Sequence, residues 1–265
     1  MLSNRISYQL GLQGPSQTVD TGCSAGLVAV HNCCQDLRTG RADLAIAAGV
    51  GLILTPATMM PMTALNFLGK NGKCFTFTNK AEGYGRGEGV GVVILKRLDD
   101  AIRDNDTIRG VIRGSRVNQD GKTPGITMPS SDAQLSNIEA VYKEAGLNVD
   151  QTAYVECHGT GTPAGDPKEC FAVSRAFCAN RDADKPILIG SIKPNIGHLE
   201  GAAGIAGLIK GVLAVERGQI PKNLYFDPSI GNPDIKFDEW KIKVCTPSNA
   251  LAIETSGSWW CCGCR

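Results

Sequence analysis

AYVECHGTGTPAGDPKECFAVSRAFC, residues 153–178, decides how the chain folds. Ala153–Glu156 is short and mostly apolar, the pattern of a buried strand. It breaks at His158-Gly159-Thr160-Gly161-Thr162, where two glycines end the extended run. Asp166 then reads as an N-cap, Pro167 as the first helical residue and Glu169 as the N3 partner of a capping box, opening a helix that runs to about Cys178. Strand, glycine loop and helix in succession form the repeating unit of a layered α/β fold.

The same alternation extends in both directions. Downstream, Pro186–Ile192 reads as strand and Glu200–Glu216 as helix, closed by Gly218. Upstream, Ala133–Ala145 is an amphipathic helix, Thr107–Val117 a strand, Asp99–Arg103 a short helix, and Val90–Leu95 and Leu44–Val50 apolar strands. In Ser24–Thr39 the residues Leu27, Val28, Val30, Cys33, Cys34 and Leu37 recur at helical spacing, and Gly40 stops the run. Gln17–Val19 is a short extended stretch before it. After Pro221 the periodicity fades into a Pro- and Asn-rich surface segment.

Composition narrows the function classes. The 265 residues carry 27 Lys+Arg against 26 Asp+Glu with no basic block, which argues against nucleic acid as a partner. The longest apolar run, Leu44–Leu54, is too short to span a bilayer, and no secretory leader opens the chain; a cytoplasmic protein without membrane partners is expected. Gly contributes 32 residues, above the roughly 7% of average usage, in clusters that point to tight turns and close backbone approach. The 11 Cys are odd in number; eight of them lie mostly in apolar stretches without paired spacing, so free thiols are expected. Two attractive motifs fail. Gly83-Tyr84-Gly85-Arg86-Gly87-Glu88-Gly89 precedes a strand and does not fit the dinucleotide fingerprint, and before Gly121-Lys122-Thr123 position 116 is Arg where a phosphate loop needs Gly. On that reading neither carries function.

The candidate chemistry lies elsewhere. Cys23 sits at the start of the Ser24–Thr39 helix among Gly22, Ser24, Ala25 and Gly26, where the helix dipole predicts a lowered pKa and small neighbours admit a carbonyl. Two of the three His, His158 and His198, fall in Gly-rich loops after predicted strands, and strand-end loops converge on one edge of such a sheet. His31, in the helix middle, reads as a packing or surface residue, and Lys193, five residues before His198, as an electrostatic support. One thiol facing two neutral imidazoles suits donation to a developing enolate or thioester oxyanion. The order Cys23, His158, Asn195 also matches a papain-like protease, but the sequence context of that family is absent.

Three motifs carry a resemblance: DTGCSAG at 20–26, VECHGTGT at 155–162 and GSIKPNIGHLEGAAG at 190–204. With NRISY at 4–8, GPS at 14–16, GYGRGEG at 83–89 and VNQDGKTPGITMPS at 117–130, they resemble β-ketoacyl synthases, specifically the ketosynthase domain of fungal-type iterative type I polyketide synthases, from about Leu2 to Thr246. The resemblance implies a thiolase-like fold of two similar α/β halves, with residues 1–106 carrying Cys23, 107–246 carrying both His, and 247–265 a non-matching tail. It implies that Cys23 accepts an acyl chain from an acyl carrier protein, that His158 and His198 hold the malonyl thioester oxygen during decarboxylation, and that Lys193 tunes the pocket. Thr160 and Thr162 would bond the phosphopantetheine arm of the carrier, with no cofactor or metal held by the chain itself. A homodimer working with other polyketide synthase domains is implied, as are two tightly packed central helices, with Ala25, Gly26 and Ala29 facing Gly201, Gly204, Gly207 and Gly211.

Departures from the family pattern are equally specific. The strands that precede NRISY in the family and its Gly-Phe-Gly-Gly-Thr-Asn loop have no counterpart here; Gly22, Ala25 and Cys157 replace the more usual Ala, Ser and Ala. A half-built sheet with exposed apolar edges is expected, as in a gene fragment or a silent remnant. The tail cluster Cys261-Cys262-Gly263-Cys264 lacks a fourth zinc ligand and reads as disordered or non-native.

Overall fold

Glycine breaks and helix caps divide the chain into the following elements, seen in a computed structural model that describes residues 1–246 and, beyond them, the backbone of 258–261. Helix α1 (Leu2–Leu10) leads through an irregular stretch and a 3-10 turn at Gly22–Ser24 into α2 (Ala25–Arg38), followed by β1 (Leu44–Gly51), α3 (Met59–Ala64), β2 (Gly89–Lys96) and α4 (Leu98–Arg103). Helix α5 (Ser131–Ala145) starts where the Ser130 hydroxyl accepts the Ala133 N–H, and stops at left-handed Gly146. β3 (Thr152–Glu156), α6 (Gly165–Phe177), β4 (Ile187–Gly190), α7 (Lys193–Ile196), α8 (Ala203–Arg217), β5 (Ile242–Val244) and β6 (Ser258–Cys261) follow.

The last four strands pair in parallel, in the order β5-β4-β3-β6, so the segments following β3 and β4 leave from one edge. Helices α5 and α6 cover one face, where Ile138, Val141, Val173 and Phe177 pack on Val155, Ile187 and Ile189. Helix α8 lies against the other face, and beyond it α2 and the antiparallel pair β1–β2 close a second core of Val30, Cys34, Ala47 and Ile205. Helix, sheet, helix and sheet thus stack in layers. Small residues let α2 and α8 approach: a Cβ on Gly26 would lie 2.8 Å from the Gly201 carbonyl oxygen, and one on Gly204 would lie 2.6 Å from Leu27 Cγ. Gly211, expected in the same seam, would have nothing within 4 Å of its Cβ.

Several expectations are corrected. Thr107–Val117 and Gln17–Val19 form no ladder. β-branched residues favour an extended path, but a strand also needs a neighbour to take its N–H and C=O groups. Residues 107–117 instead run beside α2, α5 and α8 and line a cavity of about 1780 Å³. β1 and β2 are not buried strands: in their two-stranded sheet Val90, Val92 and Ile94 are 61, 52 and 68% exposed, an open apolar face. The segment after Pro221 is not all surface, since it buries Ile235 and returns as β5, a strand too short to show a period. From the tail, β6 lies along the free edge of β3, whose unpaired backbone groups template it. The rest of the tail, and the metal question at its cysteines, lies outside the described residues. The eight cysteines up to Cys245 are free thiols, and no helix among the described residues is long and apolar enough to cross a membrane.

The helix seam gives a paired test. Gly26→Ala should destabilise the fold by about 1–3 kcal/mol, because the new methyl meets backbone. Gly211→Ala, in open space within α8, should raise stability by roughly 0.5–1 kcal/mol. Chemical denaturation followed by far-UV circular dichroism measures both.

Candidate active site

Cys23 lies in the 3-10 turn that opens α2, His158 follows β3, and His198 follows α7, the short helix leaving β4. Gly197 makes the last approach possible: at φ +78°, a Cβ there would lie 2.8 Å from the Gly87 amide. Three distant segments meet as a result. His198 Nε2 is 3.1 Å from Cys23 Sγ, and the His158 ring stands edge-on to the His198 ring, 5.3 Å between centroids. Lys193 is buried and its Nζ donates to the His158 carbonyl at 2.6 Å. Thr160 and Thr162 hold each other at 3.0 Å, and the Thr162 hydroxyl accepts the Gly165 N–H. His31 is outside the group, bonded to Ser115. Asn195 is exposed on α7, so the papain-like orientation of His158 has no structural basis.

Hydrogen-bond direction defines what this group can do. The Glu200 N–H donates to His198 Nδ1 at 3.0 Å, so the neutral ring carries its proton on Nε2, pointed at the sulfur. Burial, then the charges of Lys193 and Arg86, push His198 down to about 2, which keeps it neutral. Cys23 departs from the helix-start expectation. Burial first, and then the charge of Glu200, push its thiol up to about 12, and Lys193 offsets only part of this. Among the described residues, Cys23, His158 and His198 place their donor atoms within 4.8 Å of one another, a spacing that also suits a metal ion. The Glu200 amide weighs against ligation, because His198 presents a hydrogen rather than a lone pair to that space. The arrangement suits a developing oxyanion.

Buried carboxylates hold these loops, and the sequence reading underrates them. Asp166 does not cap α6, which starts one residue earlier; its carboxylate accepts the Gly161 and Phe77 N–H groups at 3.1 and 2.8 Å. Glu169 accepts the His158 and Gly159 N–H groups at 2.6 and 2.9 Å. Glu156 accepts the Ile192 N–H at 2.7 Å and pairs with Lys210 at 2.6 Å and the Tyr154 hydroxyl. Acidic residues inside an apolar strand and helix face were the available signal. The glycine segment dismissed as a phosphate loop is also part of the site: Gly85 and Gly87 bracket the His198 backbone at 2.7 and 3.0 Å, and the Tyr84 ring lies 4.7 Å from the imidazole.

Residues 1–101 match the family described as Beta-ketoacyl synthase, N-terminal domain, and residues 109–227 match Beta-ketoacyl synthase, C-terminal domain. The chain belongs to the β-ketoacyl synthase family. Highly reducing polyketide synthase 40 of Fusarium mangiferae is 51% identical over 250 residues, covering 94% of this chain and 10% of that protein. Reducing polyketide synthase hmp8 of Hypomyces subiculosus is 53% identical over 246 residues, covering 93% and 10%. This β-ketoacyl synthase chain therefore spans about a tenth of the length of the curated relatives it matches. Among solved structures, the ketosynthase from module 6 of the bacillaene synthase of Bacillus subtilis 168 superposes with a TM-score of 0.86 at 40% identity, covering 92% of this chain and 43% of that one. The oxazolomycin ketosynthase domain OzmH KS7 of Streptomyces albus JA3453 gives 0.88 at 36% identity over the same shares. The layers are thus thiolase-like, as the motifs imply.

Asp166 makes stability depend on pH. Burial first, and then the charge of Glu169, push it up to about 7 from 3.8, against the backbone N–H groups of Phe77, Gly161 and Thr162 that favour its charge. With the folded value above the unfolded one, its contribution is full below pH 3.8 and is lost as pH rises through about 7. The stability difference between wild type and Asp166→Asn should therefore be smaller at about pH 8 than at about pH 5, read from urea midpoints.

Proposed function

We propose that this chain carries the condensing centre of a polyketide synthase, with Cys23 as nucleophile and His158 and His198 as oxyanion donors. The observation that carries the reading is the Nε2–H of His198 aimed at Cys23 Sγ from 3.1 Å, with His158 beside it. In the first half-reaction the Cys23 sulfur attacks the thioester carbonyl of an acyl group on an acyl carrier protein. The C–S bond to phosphopantetheine breaks, and the thiol proton leaves on the released carrier thiol. A malonyl thioester then occupies the site, and its carboxylate departs as CO₂. The electron pair left behind forms an enolate whose oxygen takes hydrogen bonds from His158 and His198. The enolate carbon attacks the acyl-Cys23 carbonyl, the sulfur leaves as thiolate and takes up a proton from water, and a β-ketoacyl thioester remains on the carrier.

Lys193 acts in this reading as a fixed positive charge behind His158, and Thr160 and Thr162 exchange their mutual bond for the phosphopantetheine arm. The division at residues 106/107 separates the nucleophile half from the histidine half, with 247–265 outside both. The partners are an acyl carrier protein, a second copy of the chain and the other domains of a polyketide synthase; the working compartment is the cytoplasm.

Incubation with an acyl thioester, followed by peptide mass spectrometry, should place the acyl group on Cys23. His198→Ala or Lys193→Ala should slow malonyl decarboxylation more than Cys23 loading, by about 10²–10³ for the imidazole. Folded protein that forms no adduct on Cys23 favours the silent-remnant reading, and a larger effect on loading than on decarboxylation contradicts the donor roles.

A further inference from the structure

Three hydrogen bonds close a ring at the sulfur. The Glu200 N–H donates to His198 Nδ1 at 3.0 Å, His198 Nε2–H points to Cys23 Sγ at 3.1 Å, and the Cys23 thiol donates to Glu200 Oε2 at 3.5 Å. A backbone amide donates only, which sets the direction of every other bond in the ring. With the imidazole proton already facing the sulfur, His198 cannot take the thiol proton, and the Glu200 carboxylate is the acceptor that remains in the ring. Glu200 therefore occupies both ends of the chain of donors. We propose that Glu200 is a positioning residue that keeps Cys23 a neutral thiol while the site is empty, its amide turning His198 toward the sulfur and its carboxylate holding the sulfur's proton.

Two further observations support this assignment. Glu200 adopts φ +49°, a left-handed conformation uncommon outside glycine, and from it both its amide and its carboxylate reach the site. Its other oxygen pairs with Arg86 Nε at 3.4 Å, and the Tyr84 hydroxyl also interacts with this carboxylate. With Arg86 on one oxygen, the other faces the Cys23 sulfur at 3.5 Å. The charged and titratable groups around Cys23 are His158, His198, Lys193 and Glu200, with Tyr84 and Arg86 behind Glu200 and Asp20 on its own segment. Lys193 alone among the near cations favours a thiolate, and its ammonium is engaged by the His158 carbonyl. Acylation removes the S–H donor, so loading Cys23 frees the carboxylate that guarded it.

The inference rests on Cys23 being the nucleophile proposed above, but its test reads the thiol itself and needs no carrier or condensation. Iodoacetamide alkylation of the whole chain across a pH series, with the Cys23 adduct resolved by peptide mass spectrometry, gives the apparent pKa. The wild type should titrate above the ordinary thiol value of about 8.5. Glu200→Gln, which keeps shape and amide but removes the charge, should lower the midpoint by about one unit or more and speed alkylation at neutral pH roughly tenfold. Glu200→Asp should restore the slow reaction in part. A wild-type midpoint at or below about 8.5 overturns the proposal whether or not the variants fold, as does an unchanged midpoint in folded Glu200→Gln.

Discussion

The site depends on parallel pairing between β3 and β4, closed at its end by Glu156. Pairing brings Glu156 level with Gly190, and the Glu156 carboxylate then takes the Ile192 N–H and the Lys210 ammonium. One buried group thereby ties the loop bearing His158, the turn bearing Lys193 and the helix behind them. Removing one partner of such a buried pair costs about 3–5 kcal/mol, because the other charge is left without compensation. The two imidazoles meet because their loops start from one fixed sheet edge.

The same logic recurs around the loops. Glycine-rich segments expose N–H groups that no ladder satisfies, and here buried carboxylates collect them: Glu169 at His158 and Gly159, Asp166 at Gly161 and Phe77. Each carboxylate sits in the first turns of α6, so the helix dipole favours its charge while its oxygens face the preceding loop. The loop gains rigidity without regular structure, because its N–H groups are held by fixed acceptors instead of by a ladder.

Electrostatics at the sulfur run against the simple expectation for a cysteine at a helix start. The dipole favours thiolate, but burial and Glu200 outweigh it. The balance is local: a carboxylate 3.5 Å away in a water-poor crevice acts far more strongly than partial charges spread over a helix end.

By itself, the sequence determined the alternation of elements and the helix boundaries at Gly40 and Gly218, and it singled out Cys23, His158, His198 and Lys193, which the fold brings together. These are properties of neighbouring residues, readable from period, caps and glycine breaks. Three motifs also carried the family, which the matches over residues 1–101 and 109–227 bear out. Tertiary structure decided whether Thr107–Val117 had a strand to pair with, whether Gly211 met a helix, and that Asp166 reaches back to a loop instead of capping α6. It also decided the direction of each proton around Cys23, set by an amide 177 residues away along the chain. Hydrogen-bond partners and burial belong to pairs of segments brought together by folding, and no window of local sequence contains both members.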